Sequence, residues 1–146
     1  MRYRALLKIP VKQSILMTGN KILLDTTVVI ELFKGNATVL ANLKGTEFVN
    51  ISSIVLGELL LGAYRSSNAK KHLAQINSFL QKSHVLPATA EVASMYAVIK
   101  SNLLNKGRPI PENDIWIAAT ALQQGLTLLT TDKHFGEIEN LDIRSL

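Results

Sequence analysis

After Met17, short apolar runs alternate with longer stretches in which apolar residues recur every three or four positions. The short runs are typical of buried strands, and the longer stretches are typical of amphipathic helices. A regular alternation of strands and helices favours an α/β fold with a central, mostly parallel sheet. The 146 residues contain no internal repeat and no long linker, so we expect one domain.

The individual elements follow from these runs and from the residues that begin and end helices. Strands are predicted at about 21–24, 47–51, 84–86, 126–129 and 142–144, and helices at about 26–34, 37–43, 54–64, 69–81, 89–105 and 112–124. Ligand sites of parallel sheets lie beyond the carboxyl ends of the strands, so we expect the functional site there.

Composition removes several classes of function. The chain has no cysteine, which excludes a disulfide framework, a thiolate zinc site and a thiol nucleophile, and fits a reducing cytoplasm. No apolar run approaches the roughly 18 residues of a membrane span, so we expect a soluble protein without a membrane partner. The basic start of the chain is interrupted by Lys8 and Pro10 before an apolar core forms, so we predict no export signal.

The formal charge of +5 is concentrated at one end of the chain. Four basic residues and no acid lie before Met17: Arg2, Arg4, Lys8 and Lys12. We therefore predict a basic N-terminal extension over residues 1–16, either flexible or upstream of the natural start, and a single domain over 17–146. Net charge alone says little about nucleic acid in this case.

Four acids occupy positions that suggest a shared site. Asp25 and Asp132 follow predicted strands, Asp114 lies in the first turn of a helix, and Glu58 interrupts an apolar helix. Taken singly, each aspartate reads as a helix cap or turn residue, and Glu58 as a partner of a basic residue or of solvent. Taken together, they meet at one edge of the sheet, where each pair of carboxylates 4 Å apart would repel by about 4 kcal/mol at an effective dielectric constant near 20.

A divalent cation would remove this repulsion. Ligand sets made only of oxygen select hard ions, so Mg²⁺ or Mn²⁺ is expected rather than Zn²⁺. The three histidines, His72, His84 and His134, lack the paired spacing of metal ligands and are expected to be structural or exposed.

Four blocks of the sequence resemble the PIN-domain ribonucleases of the VapC toxin type, which belong to bacterial toxin–antitoxin pairs. The resemblance runs from about Lys21 to the C-terminus. Its blocks are Leu23-Leu24-Asp25-Thr26-Thr27, Val55-Leu56-Gly57-Glu58-Leu59 with Gly62, Asn113-Asp114-Ile115-Trp116-Ile117-Ala118-Ala119, and Leu128-Leu129-Thr130-Thr131-Asp132-Lys133-His134-Phe135. Thr27 is a mild departure, because relatives often carry Ser or Asn there.

The resemblance implies an α/β/α sandwich around a parallel sheet and a metal site made by four acids, with Thr130 as a supporting hydroxyl. The matching acids are Asp25, Glu58, Asp114 and Asp132. It implies an endoribonuclease in which Mg²⁺ or Mn²⁺ activates a water molecule, with Asp25 and Asp114 as direct ligands. Glu58 and Asp132 would complete the site directly or through water.

The resemblance also implies partners: an RNA substrate, with tRNA among the candidate classes, a cognate VapB-like antitoxin, and a second copy in a homodimer. Arg65, Arg108 and Lys133 are candidates for substrate binding because each is close in sequence to a motif acid. For each of them a solvated surface charge is the competing interpretation. Trp116 and Phe135 are expected to pack in the core rather than stack on a base.

Two other classes of function fit the sequence less well. A phosphotransfer receiver or a haloacid-dehalogenase-like phosphatase needs an acidic pair or Asp-x-Asp after the first strand, whereas this chain has Asp25-Thr26-Thr27. A non-catalytic RNA-binding or partner-binding module would keep the fold without turnover, but all four acids are present.

Overall fold

The computed structural model describes residues 21–146, and the predicted extension over residues 1–16 lies outside the described residues. Five strands form one sheet in the order β3-β2-β1-β4-β5, and every neighbouring pair is parallel. The strands are β1 Ile22–Leu24, β2 Val49–Ser52, β3 Ser83–Leu86, β4 Thr127–Thr130 and β5 Ile143–Ser145. The α-helices are α1 Thr26–Phe33, α2 Ala37–Asn42, α3 Ser53–Arg65, α4 Ala69–Leu80, α5 Ala90–Lys106 and α6 Glu112–Gln124.

The predicted α/β/α architecture is confirmed. Parallel neighbours need long crossover connections, and α-helices occupy those between β1 and β2, β2 and β3, and β3 and β4. The central strands are buried, as expected for a sheet covered on both faces, and every residue of β2 is buried. Aliphatic side chains from the strands and from α3, α5 and α6 make one continuous core.

Capping residues set the entry points of the helices next to the carboxyl ends of the strands. Ser52 accepts a hydrogen bond from the Val55 amide and begins α3, and Thr89 does the same for Val92 at the start of α5. Gly125 ends α6 with a left-handed backbone (φ 65°), which an L side chain adopts only at a cost. The chain therefore turns sharply from α6 into β4.

The element boundaries differ from the predicted ones by one or two residues, and one element was not predicted. A 3₁₀ helix spans Lys133–Glu137 directly after the fourth strand, where the sequence pattern suggested only a turn. It carries Phe135, whose side chain is fully buried in the core. Within residues 21–146, none of the helices combines the length and the apolar character needed to cross a membrane.

Candidate active site

Asp25 lies at the carboxyl end of β1, and its two carboxylate oxygens have separate roles. Oδ1 accepts a hydrogen bond from the Thr26 amide at 2.8 Å and so caps α1. Oδ2 accepts a hydrogen bond from the Thr130 hydroxyl at 2.8 Å. The Asp25 amide continues the β1–β4 ladder by donating to the Leu129 carbonyl at 3.1 Å. The capping interpretation of Asp25 is therefore confirmed, and the second oxygen of the same carboxylate contacts Thr130.

Glu58 reaches the same edge of the sheet from the second turn of α3. Its Oε1 accepts a hydrogen bond from the Thr26 hydroxyl at 2.6 Å. A carboxylate flanked by apolar residues was expected to need a partner, and this partner is a hydroxyl rather than a lysine or an arginine. The Thr26 amide also donates to Asp25 Oδ1, so Thr26 contacts both acids.

Asp114, Asp132 and His134 form the other half of the site. The His134 ring lies between the two carboxylates, with Nε2 at 2.5 Å from Asp114 Oδ2 and Nδ1 at 2.7 Å from Asp132 Oδ1. Asp132 Oδ1 also accepts from the His134 amide at 3.1 Å and so begins the 3₁₀ helix. The Thr130 hydroxyl accepts from the Asp132 amide at 3.0 Å, which ties this half to Asp25.

The carboxylates are close enough to influence one another's titration. Burial raises the pKa of Asp25 above its ordinary value, and the negative charges of Asp114 and Glu58 raise it further, against the lowering effect of its hydrogen bonds. Burial also raises the pKa of Asp114, with Asp132 and Glu58 acting in the same direction and His134 opposing them. The site thus holds a repulsion that a bound cation would relieve.

The donor atoms present fit a divalent cation. One ligand atom each from Asp114, Asp132 and His134 lies within 4.8 Å of the others. Asp25 is electrostatically coupled to Asp114, and Glu58 to both of them. Carboxylate oxygens suit Mg²⁺ and Mn²⁺, and an imidazole nitrogen widens the choice toward transition metals.

Two participants were missed by sequence reasoning. His134 was expected to be structural or exposed, but it contacts two of the four acids. The available signal was its position two residues after Asp132, which places an Asp–x–His pair on one tight turn. Thr26 was treated only as part of a motif, although a hydroxyl directly after a strand-end aspartate faces the same edge. Thr27, its neighbour, is exposed.

The candidate substrate-binding residues lie at the periphery. Lys133 is exposed and directly follows Asp132. Arg65 is the last residue of α3, seven positions beyond Glu58 and therefore about 10 Å further along the helix axis. Arg108 lies 3.9 Å from Glu137 in an exposed ion pair.

Aromatic packing beside the site follows the expectation from sequence. Trp116 stacks on Tyr96 of α5 with ring centroids 4.2 Å apart and nearly parallel planes. The Tyr96 hydroxyl donates to Glu112, whose carboxylate also accepts from Lys100 at 2.7 Å. These contacts fix the first turn of α6, which carries Asp114, against α5.

Comparisons with known proteins agree with this geometry. Residues 22–141 match the PIN domain family. Ribonuclease VapC1 of Haemophilus influenzae strain R2866 is 31% identical over 124 residues, covering 82% of this chain and 92% of the relative. The tRNA(fMet)-specific endonuclease VapC of Shigella flexneri is 35% identical over 82 residues, covering 56% of this chain and 62% of the relative. The crystal structure of DNA-bound VapBC from Salmonella typhimurium includes a chain with a TM-score of 0.81 and 29% identity, covering 86% of this chain and 98% of that one.

The match to the family over residues 22–141 and the relative aligned over 92% of its length agree with the parallel five-stranded sheet. This chain belongs to the PIN domain family, in its group of VapC ribonucleases.

Proposed function

We propose that this protein is a metal-dependent endoribonuclease that acts as the toxin of a VapBC-type pair. The observation that carries the proposal is the convergence of four acids from β1, α3, α6 and the turn after β4 on one edge of the sheet. Burial raises the pKa values of Asp25 and Asp114, and the neighbouring carboxylates raise them further, so a bound cation would stabilise this arrangement. The VapC relatives support ribonuclease activity.

In the proposed mechanism Asp25 and Asp114 are direct ligands of Mg²⁺ or Mn²⁺, and Glu58 and Asp132 complete the site directly or through water. The ion would neutralise the scissile phosphate and make a bound water more acidic. Thr130 lies on the neighbouring strand, and its hydroxyl holds Asp25 in position by donating a hydrogen bond to Oδ2. Thr26 does the same for Glu58. No side-chain nucleophile is needed.

RNA is the proposed substrate, and the Shigella relative makes tRNA the first class to test. Lys133 is the favoured candidate for a phosphate contact, because it is exposed and adjacent to Asp132. Arg65 and Arg108 remain candidates, although the ion pair with Glu137 competes for Arg108.

A VapB-like antitoxin is the proposed partner, because the Salmonella neighbour is a VapBC complex. A largely apolar groove of about 400 Å³ borders Glu58 and supports a protein partner at this place. Ile30, Phe33, Ala63 and Ile76 line it. Copurification with the product of an adjacent small reading frame should be lost in Ile30→Lys and kept in Val98→Lys, since Val98 is also exposed but lies on α5. We further propose a homodimer, which light scattering after gel filtration would test.

The test of activity is a gel assay on tRNA and ribosomal RNA with Mg²⁺, with Mn²⁺ or with EDTA. The wild type should give discrete fragments only with metal. Glu58→Gln should abolish these fragments. The matched Glu47→Gln should not, because Glu47 is exposed and precedes the amino end of β2, whereas the acids lie at the carboxyl ends of the strands. Equal cleavage by the wild type and Glu58→Gln would mark the activity as contamination. Intact RNA under all conditions would favour a binding module instead.

A further inference from the structure

His134 is the one contributor to the acidic cluster whose role the four-acid scheme leaves open. Its ring is partly buried and contacts a carboxylate at each nitrogen: Asp114 Oδ2 at 2.5 Å from Nε2 and Asp132 Oδ1 at 2.7 Å from Nδ1. Both ring nitrogens therefore face the acids.

The chain holds this ring in place from three sides. The Thr130 hydroxyl fixes the Asp132 amide at 3.0 Å, and Asp132 in turn accepts from the His134 amide at 3.1 Å. The next residue, Phe135, is fully buried, and its ring lies 5.2 Å from the imidazole. The backbone of His134 is therefore held by the fold, and its ring contacts Asp114, Asp132 and Phe135.

The two nitrogens have different surroundings. Asp132 contacts both the amide and Nδ1 of His134, so it is placed to accept the Nδ1 proton and to orient the ring. A carboxylate in this position is the usual outer partner of a histidine that binds metal through its other nitrogen. Nε2 lies 2.5 Å from Asp114 Oδ2, and one ligand atom each from Asp114, Asp132 and His134 lies within 4.8 Å of the others. A divalent cation held by this cluster would have Nε2 and a carboxylate oxygen as neighbouring donor atoms.

We infer that His134 is a metal ligand through Nε2, beside Asp114, and that Asp132 orients its imidazole ring. The inference rests on the proposed function, because the ion is the one that function requires. A nitrogen donor shifts the preference of a carboxylate site away from Mg²⁺ toward Mn²⁺ and other transition metals. The site should therefore bind Mn²⁺ more tightly than Mg²⁺ by more than an oxygen-only site would.

Pulsed electron paramagnetic resonance of bound Mn²⁺ tests this directly. A coordinated imidazole adds a ¹⁴N coupling to the Mn²⁺ spectrum, and labelling the protein with ¹⁵N-histidine should convert that coupling to ¹⁵N frequencies. The experiment needs no substitution and no RNA. The chain has three histidines, so variants then assign the signal.

His134→Gln should lose the nitrogen coupling, and its Mn²⁺ affinity should fall by about 10- to 100-fold with a smaller change for Mg²⁺. His72→Gln is the matched control: His72 is exposed on α4, lines the groove that Glu58 borders, and should keep the coupling in full. Circular dichroism and thermal unfolding establish that both variants are folded.

The outcomes separate this inference from the proposed function. Bound Mn²⁺ without any nitrogen coupling in the wild type would overturn the role of His134 and leave an oxygen-only metal site standing. A coupling that persists in His134→Gln would overturn it as well. If the wild type bound no Mn²⁺ at all, both the inference and the metal-dependent mechanism would fall.

Discussion

The Thr130 hydroxyl donates a hydrogen bond to Asp25 Oδ2 at 2.8 Å across 105 residues of sequence. The hydroxyl oxygen of Thr130 in turn accepts a hydrogen bond from the Asp132 amide at 3.0 Å. One buried hydroxyl thus connects the acid at the end of β1 with the turn that carries Asp132 and His134. It makes the register of two neighbouring strands part of the geometry of the site.

Replacing Thr130 with valine should damage both stability and activity. Valine keeps the shape but leaves a buried Asp25 oxygen and the Asp132 amide without this partner, at a cost of about 1–3 kcal/mol in the free energy of unfolding. Denaturant unfolding and the RNA assay measure the two effects. Thr130→Ser, which retains the hydroxyl, should keep most of the activity. If the valine variant cleaved RNA like the wild type, Thr130 would have no positioning role.

Replacing Asp25 with asparagine should raise stability at neutral pH in the presence of EDTA. Burial raises the pKa of Asp25 above 3.8, so its ionised form is disfavoured in the folded protein. Asparagine removes that charge, and its side-chain oxygen can still cap α1. Thermal unfolding of the two proteins measures the gain, while RNA cleavage should disappear.

The sign of the pH dependence follows from the same shift. The folded protein holds the Asp25 proton more tightly than the unfolded chain, so the wild type gains stability from this group as pH falls through the folded-state pKa toward 3.8. The advantage of Asp25→Asn should therefore shrink on acidification. Saturating Mn²⁺ should make the wild type more stable than Asp25→Asn at neutral pH. An ion at 100 times its Kd stabilises the folded state that binds it by about 2.7 kcal/mol. A difference independent of both pH and metal would contradict the assignment.

Thr26→Val should selectively weaken the function of Glu58. The substitution removes the 2.6 Å hydrogen bond from the Thr26 hydroxyl to Glu58 Oε1. It keeps the hydrogen bond from the backbone amide of residue 26 to Asp25. We expect a loss of about 0.5–1.5 kcal/mol in stability and a larger proportional loss of cleavage rate. Thr26→Ser serves as the control that keeps the donor. Equal activity of the valine and serine variants would show that Glu58 needs no anchor.

Gly125→Ala should lower stability without affecting metal binding. Its backbone at φ 65° costs an L residue about 1–2 kcal/mol, and no atom lies within 4 Å of an added Cβ, so the penalty is conformational alone. Gly57→Ala, in the interior of α3 and equally free of contacts, should instead stabilise by up to about 1 kcal/mol. Urea unfolding and Mn²⁺ titration of both variants provide the measurement. A loss of Mn²⁺ affinity in folded Gly125→Ala would contradict this separation.

Much of the fold was predictable because each signal is local. Short apolar runs marked the strands, and Asp25 marked the start of a helix through capping chemistry. Strand pairing order carries no such local signal. The 3₁₀ helix after β4 was also hidden, because a single turn has too few residues to show periodicity.

The site was predictable in its acids and less so in its other members. Acids at strand ends are recognisable because the topology of a parallel sheet brings them together. The position of His134 depends on a turn whose shape is set by the Asp132 cap and the burial of Phe135. Likewise, the Thr26–Glu58 contact depends on how α1 packs beside α3, which neither segment specifies alone.

The strand order has a consequence for the timing of assembly. β1, near the beginning of the described chain, is flanked on one side by β4, which ends only 16 residues before the C-terminus. During synthesis the segment with Asp25 and Glu58 emerges long before the segment with Thr130, Asp132 and His134. The candidate site therefore cannot form on the ribosome until the segment with Thr130, Asp132 and His134 has emerged, 105 residues after Asp25.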